Sequence, residues 1–213
     1  TLYFTDVDLK ASPLNLELIE SMLPGGLPVQ GLLVGTVEVK GPLSSLDTRG
    51  DLQLTRPGET TPSSIRWAGK FDATSDVIAR NFRADLTNLD LALLSALRPE
   101  LNLRGVVNGH VEANGQLNER FTFAAAIHHE LQGLASSFEG SGMYSNRSRE
   151  LDVSLNALPL KLEDLAHVYP ALARFKGEAS GPIRLNGSID DLNVEATLQT
   201  GAGQLDFNGA LQR

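Results

Sequence analysis

Three glycines recur at a fixed spacing at three places in the chain, and this pattern restricts the fold more than any other feature. The sets begin at Gly31, Gly105 and Gly177, so the second starts 74 residues after the first and the third 72 residues after the second. Within each set the pattern is Gly-x3-Gly-x5-Gly. A pattern that returns at a nearly constant period indicates a chain built from repeated structural units.

The glycines can be compared with known phosphate-binding loops. A phosphate loop is followed by Lys-Ser or Lys-Thr and a helix, and a dinucleotide-binding fingerprint has another spacing. Neither is present here. Instead, apolar residues alternate between the second and third glycines, as in Val37 and Val39, with polar residues between them. Alternation with a period of two predicts a strand with one apolar face, in which glycines mark bends, bulges or close backbone approach.

A leucine-rich stretch ending at a proline precedes each glycine set. Its leucines first alternate and then take helical spacing, which predicts a strand that runs into a short helix. The predicted helices lie near Leu16–Leu23, Leu91–Leu97 and Leu162–Tyr169.

After each glycine set the sequence predicts a polar turn, a strand, a loop and a further strand with an aromatic residue two positions before a glycine. The aromatic residues are Trp67, Phe138 and Phe207. Each unit therefore contains about four strands and one short helix. The units are residues 1–80, 81–149 and 150–213. An antiparallel sheet with one apolar face can close into a barrel, pack as a sandwich, or bend into a trough filled by a ligand.

The apolar positions of the predicted strands are expected to face one shared interior and, in a trough, to line the groove. They are Val37, Val39, Leu52, Leu54, Trp67, Val111, Ala113, Phe121, Phe123, Phe138, Ile183, Leu185, Val194, Ala196, Leu198 and Phe207.

Composition excludes several classes of protein. The formal net charge is −8 and no basic run is present, which argues against a nucleic-acid partner. There is no cysteine, which excludes disulfides and thiolate chemistry and is compatible with a bacterial envelope compartment. No signal peptide or membrane-spanning run is recognisable. Because the sequence begins and ends with strand-like segments, it is expected to be part of a longer protein.

Residues that could carry catalysis or bind a metal are few. His128 and His129 are adjacent, so in a strand they face opposite sides and cannot both bind one metal ion. Asp190 and Asp191 occupy a predicted turn, where aspartate is common for conformational reasons. No Gly-x-Ser-x-Gly motif is present. The sequence predicts no enzyme, no metal and no cofactor.

The order of a leucine stretch, a proline, the glycine set, a polar turn and alternating strands resembles the repeats of TamB-like and AsmA-like proteins of diderm bacteria. The resemblance extends from Val7 to Leu211 and is strongest at residues 88–115 and 157–198. It implies a mainly β fold, an elongated, twisted antiparallel sheet of three repeats of about 72–74 residues with a short helix in each. In that family the sheet is curled into a hydrophobic trough, the β-taco.

The resemblance also implies a function and a location. A periplasmic segment of this kind would carry glycerophospholipid between the inner and outer membranes, with acyl chains as its partners. It would be anchored in the inner membrane, and would reach an outer-membrane barrel, through segments outside this sequence. Two alternatives remain: an outer-membrane protein assembly module that pairs with strands through its sheet edge, and a structural or adhesin β-repeat.

Overall fold

The chain is a mainly β protein built from one sheet, seen in a computed structural model. The structure describes residues 3–20, 29–74, 77–97, 103–117, 119–163 and 176–212. The strands are β1 (Tyr3–Asn15), β2 (Leu32–Pro42), β3 (Leu46–Thr55), β4 (Ser63–Asp72), β5 (Ile78–Asp90), β6 (Val106–Gln116), β7 (Arg120–Leu131), β8 (Leu134–Ser145), β9 (Glu150–Lys161), β10 (Glu178–Ser188), β11 (Asp191–Thr200) and β12 (Gly203–Gln212).

Each strand pairs antiparallel with the strand before it and the strand after it, so the spatial order equals the chain order from β1 to β12. The first and last strands are both edges, and the sheet is therefore open. This excludes the closed barrel and the two-sheet sandwich for the part of the chain that the structure describes. The expectation of a mainly β, antiparallel fold of about twelve strands is confirmed.

Helical segments lie where the leucine spacing changes. Helix α1 spans Leu16–Glu20 and helix α2 spans Ala92–Leu97. Leu162 and Glu163 are also helical, but the rest of the third predicted helix lies outside the described residues. Side chains that precede α1 and α2 satisfy donors that a helix start leaves open: Asn15 Oδ1 accepts the Glu17 N–H and Asp90 Oδ1 accepts the Ala92 N–H. One further 3₁₀ turn spans Leu43–Ser45.

The long connections all lie at one end of the sheet. In an up-and-down sheet every second connection is at the same end, and the three long leucine-rich ones follow β1, β5 and β9. Each begins with the same backbone bond to the first glycine of a set. Leu16 N–H donates to the Gly31 carbonyl over 2.9 Å, Leu91 to Gly105 over 2.9 Å and Leu162 to Gly177 over 3.0 Å. The opposite end has only short connections.

Bulges occur in the same three strands. The pairing register shifts at two places where β1 meets β2, at two where β5 meets β6, and at one where β9 meets β10. In β5 two asparagines with positive φ, Asn81 and Asn88, occupy the bulges. Their N–H groups donate to the side chains of Asn114 and Asn108 over 2.6 and 2.8 Å. A bulge adds one residue without changing the face of the residues on either side of it.

The backbone conformation at the middle position of each set explains why glycine is required there. Gly35, Gly109 and Gly181 have φ angles of +143°, +156° and +139°, which side-chain-bearing residues rarely adopt. A Cβ atom at each would also collide with a backbone carbonyl oxygen of the following strand. The glycines thus let β2, β6 and β10 approach the next strand closely, which is the structural role that the strand pattern predicts for them.

Candidate functional site

One face of the sheet is apolar over its whole width. Residues directly opposite in an antiparallel pair point to the same side, so the register carries one face from strand to strand. Leu9 in β1 is opposite Val37 in β2, and the opposed residues of the next nine strands connect Val37 to Phe207 in β12, so all of these residues lie on the same side of the sheet. We call this side the apolar face and the opposite side the polar face. All sixteen residues predicted to line a groove lie on the apolar face.

Sequence reasoning missed part of this face. No residue of β1, β5 or β9 was among the predicted lining, although these strands contribute a quarter of the sheet. Their members are Phe4, Val7, Leu9, Ala11, Leu14, Ala79, Phe82, Ala84, Leu86, Leu89, Leu151, Val153, Leu155, Ala157 and Leu160. The alternation of apolar residues could have revealed them, but the bulges insert extra residues and shift its phase within β1, β5 and β9.

The apolar face carries no charged residue among the described strand positions. Its serine, threonine and histidine side chains bond to backbone groups. These bonds are Thr48 to Gly69 O (3.3 Å), Ser63 to Asn88 O (3.0 Å), His129 Nε2 to Arg104 O (2.8 Å), Lys161 N to Ser136 Oγ (3.0 Å), and Thr200 to Gly203 O (2.8 Å). Because these polar atoms already have partners, the parts of the face where they lie can be dehydrated at little cost.

Charges collect on the polar face, where they form pairs between neighbouring strands. Examples are Arg66 with Asp51 at 2.7 Å and Arg83 with Glu112 at 3.1 Å. All strand Asp, Glu, Lys and Arg residues in the described part of the chain lie on this side. Such exposed pairs contribute little stability each, but they keep this side hydrated. The sheet therefore has one side suited to water and one suited to apolar contact.

No second layer covers the apolar face in the described residues. In the middle of the sheet its side chains shield one another: Val153 and Ala157 are buried, with exposed fractions of 4% and 1%. At the two edges this shielding ends. Leu9 in β1 is 60% exposed and Phe207 in β12 is 42% exposed. An open sheet with a contiguous apolar side of this kind is typical of a binding or association surface.

The single tryptophan lies on the apolar face and covers a glycine. The Trp67 ring lies where a Cβ atom of Gly50 would be, so Gly50 provides the room for it. Rings also meet near the end of the sheet with short connections, where the centroids of Phe121 and Tyr144 are 5.8 Å apart. Large side chains thus lie over glycine and alanine neighbours, and the face is uneven in depth.

A row here means the residues that lie opposite one another from strand to strand across the sheet. The aromatic residues Trp67 and Phe138, each two positions before a glycine, lie in different rows relative to the middle glycines. Ile65 lies in the row of Gly35, and Phe138 lies in the row of Gly109. Phe138 therefore takes the place that Ile65 has, two residues away from the place of Trp67. A large apolar side chain fits at any position of the apolar face, so its chemical type does not fix the row.

Histidines and acidic residues form no metal-binding cluster in the described residues. His128 and His129 lie on opposite faces, as their adjacency predicts. His110, on the polar face, bonds Asp85 through Nδ1 at 2.9 Å and Glu112 through Nε2 at 3.4 Å. These bonds raise the pKa of His110 above its ordinary value, with Asp85 the main cause. Asp190 lies in a turn and accepts from Arg149 at 2.7 Å.

Among the described helices, none has the length and apolar character needed to cross a membrane. Comparison of the chain with models of protein families, with characterised proteins and with solved structures found no match. The fold and the site thus define a class: an open, twelve-stranded antiparallel sheet with one uninterrupted apolar face.

Proposed function

We propose that the apolar face binds acyl chains of glycerophospholipids and that the protein conducts lipid between the inner and outer membranes as a periplasmic segment. The observation that carries the proposal is the apolar face itself, which has no charge among its described residues and whose serine, threonine and histidine side chains bond to backbone groups. An acyl chain offers no hydrogen bond, so it gains most on a surface that demands none. A soluble ligand with many polar groups would leave them without partners there.

We further propose that the sheet consists of three four-strand units and curves into a trough around the lipid. Three recurrences at intervals of four strands support this: bulges in β1, β5 and β9, glycine sets at β2, β6 and β10, and the Leu-to-Gly backbone bond that opens each long connection. Bulges bend a strand and increase its twist. Regularly placed bulges therefore favour a sheet that curves steadily to one side.

The remaining parts of the proposal depend on the resemblance to TamB-like and AsmA-like repeats. They are the periplasmic location, an inner-membrane anchor outside this sequence, and a barrel partner in the outer membrane. Assembly of outer-membrane proteins by strand pairing is the alternative, because an exposed sheet edge can pair with another strand. A purely structural β-repeat would leave the apolar face without a lipid.

Charges placed on the apolar face test the proposal. Val111→Glu and Ile183→Arg each add a charge where acyl chains would lie, and we expect at least a fivefold loss of co-purified phospholipid because burying an unpaired charge costs several kcal/mol. Lipid is extracted from the purified protein and quantified by mass spectrometry. Thr122→Glu and Thr197→Arg place the same side chains on the polar face and should retain the wild-type lipid content.

Circular dichroism identifies the variants that keep the strand content of the wild type, and only these are compared. Equal lipid in folded variants of both faces, or no lipid in the wild type, would contradict the proposal. Under the strand-pairing alternative, substitutions on either face leave the lipid content unchanged. That alternative predicts instead that changes at an exposed edge strand abolish binding to unfolded barrel strands.

A further inference from the structure

The two ends of the apolar face differ in polarity. We call the end with the leucine-rich connections the long end and the opposite one the short end. The last row to which every strand contributes at the long end includes Ser63, His129, Ser136 and Thr200. The corresponding row at the short end contains the third glycine of each set, and Tyr144 is its only described residue with a polar side-chain group. A bound amphiphile therefore meets more polar surroundings at the long end.

Backbone groups at the short end are used by the protein itself. Successive turns there bond to one another: Leu117 N–H donates to Val77 O over 2.8 Å, Asn146 N–H to Glu119 O over 2.6 Å, and Ile189 N–H to Arg149 O over 3.0 Å. A backbone N–H that already has an acceptor gains little from a second one. These turns therefore offer a bound anion few donors.

Basic side chains at both ends are also matched, with one exception. Arg104 at the long end is exposed and pairs with no carboxylate of the described residues. Lys176 has the Glu163 carboxylate beside it, and Arg120 contacts Met143 on the polar face. The remaining pairs are Arg80 with Asp72 (3.9 Å), Arg147 with Glu119 (2.6 Å), Arg149 with Asp190 (2.7 Å), Lys161 with Glu178 (2.6 Å), and Arg56 with Asp90.

Arg104 lies at the border of the apolar face. Its carbonyl oxygen is 2.8 Å from Nε2 of His129, which is on that face. Because a carbonyl oxygen only accepts, Nε2 must carry the proton of this bond. Gly105 follows with a φ of +93°, and a Cβ atom there would come within 2.4 Å of the same nitrogen. The bond and the glycine together hold the Arg104 backbone against the polar row.

The length of the apolar face suits a lipid lying along the strands. On β7 the two last rows are marked by His129 and Phe121, eight residues apart, or ~27 Å at ~3.4 Å per residue. The hydrocarbon core of a bilayer is ~30 Å thick and contains two leaflets, so the acyl chains of one lipid are ~15 Å deep. A lipid with its phosphate at one end therefore keeps its acyl chains on the apolar face.

We propose that a glycerophospholipid binds with its phosphate beside Arg104 at the long end and its acyl chains directed along the strands toward the short end. A phosphate is anionic and only accepts hydrogen bonds, so it favours a guanidinium that no carboxylate already occupies. The inference rests on the proposed lipid binding. It adds the direction of the lipid and the residue that contacts its head group.

Photo-crosslinking determines the direction. Two phosphatidylethanolamine probes are bound to separate samples, one with a diazirine at the end of an acyl chain and one with a diazirine in the head group. After illumination, peptide mass spectrometry locates the adducts. We expect the acyl-chain probe to label the short-end residues Phe121, Tyr144 and Leu151 at least fivefold more than the long-end residues Leu89 and His129, and the head-group probe to show the reverse.

The role of Arg104 is tested by affinity. Trp67 lies on the apolar face, so its fluorescence reports binding of dihexanoyl phosphatidylglycerol below the concentration at which this lipid forms micelles. We expect Arg104→Gln to bind about fivefold more weakly than the wild type, because it loses the charged donors. Arg147→Gln, at the short end, is the matched control and should bind like the wild type. Inorganic phosphate, which has no acyl chain, should not change the fluorescence.

Circular dichroism confirms that each variant keeps the wild-type strand content. Preferential labelling of the long end by the acyl-chain probe, or equal labelling of both ends, would overturn the proposed direction and leave lipid binding intact. Equal affinities of Arg104→Gln and Arg147→Gln would overturn the contact with Arg104. A fluorescence change with inorganic phosphate alone would show a phosphate site that needs no lipid, and would overturn the proposal. No adduct with either probe would contradict lipid binding itself, and this inference with it.

Discussion

At the scale of single residues, glycine and histidine have the clearest physical roles. The middle glycines have a positive φ. In addition, a carbonyl oxygen of the next strand occupies the place where the Cβ atom of any other residue would lie. His110 lies between two carboxylates on the polar face, at the junction of β5 and β6. The first arrangement makes any residue other than glycine unfavourable, whereas in the second the protonation of His110 changes with pH.

Gly109→Ala is expected to destabilise the protein by about 1–3 kcal/mol, since alanine must adopt an unfavourable φ and displace the Ala126 carbonyl. The free energy of unfolding is measured by urea denaturation. Gly201→Ala is the control, because a Cβ atom at Gly201 would meet no other atom within 4 Å and its φ is not positive. Equal losses in both variants would show that the close approach at Gly109 has no energetic role.

The His110 contribution to stability should depend on pH. Its pKa in the folded protein is raised above the ordinary 6.5, so the folded state binds the proton more tightly than the unfolded state. The stabilisation is complete below pH 6.5 and is lost as the pH rises through the higher folded pKa. The difference in unfolding free energy between wild type and His110→Gln should be largest at acidic pH, at most about 1 kcal/mol for so exposed a site, and smallest near pH 9. Urea denaturation across this range measures it, and a difference that grows with pH would contradict the assignment.

At the scale of elements, the bulges of β5 reconcile two requirements. The strand must keep its apolar residues on one face and also bend, and an extra residue at a positive φ achieves both. Asparagine adopts such φ values more readily than most residues. The partner asparagines of β6 bond the N–H groups of Asn81 and Asn88, which would otherwise lack a ladder partner.

Asn108→Ala removes the acceptor for the Asn88 N–H and should cost about 1 kcal/mol of stability. Hydrogen exchange at the Asn88 amide should accelerate more than exchange elsewhere in β5. The control is Asn193→Ala, which removes an exposed asparagine from β11. Unchanged exchange at Asn88 would mean that the side-chain bond does not hold the bulge.

At the scale of the whole molecule, the described strands form a sheet in which β1 and β12 do not pair with each other. Each strand of the described chain pairs only with its sequence neighbours, so stability is a sum of local terms, as in repeat proteins. The apolar face extends across all twelve strands because residues directly opposite each other in neighbouring strands point to the same side of the sheet.

Truncation tests this locality. A chain ending at Arg149 lacks β9–β12, and we expect β1–β7 to retain their hydrogen-exchange protection because none of their strand pairing partners is lost. β8 becomes the edge and should exchange faster. Exchange mass spectrometry of both chains provides the comparison. Loss of protection throughout β1–β7 would indicate cooperative folding of the complete sheet. As a control, a chain lacking β12 alone should change only β11.

The sequence by itself determined the class of fold and much of the apolar face. Period-two alternation gives the facing of a strand from local information, and positions such as Val37, Val111 and Ile183 were placed on one side for that reason. The glycine sets likewise reveal strands that need an unusual backbone. These features depend on residues close together in the chain.

Only the tertiary structure decided which strands pair and which of their faces lie on the same side of the sheet. The open sheet was chosen over a barrel or a sandwich by the absence of pairing between β1 and β12, a long-range property that no local pattern encodes. The apolar-face residues of β1, β5 and β9 were placed through their cross-strand partners, since bulges shift the alternation within a strand but the pairing keeps the facing. Alternation is local, whereas register is a relation between two strands. For that reason the sequence could predict which residues of one strand share a face, but only the strand pairing shows which faces of neighbouring strands lie on the same side of the sheet.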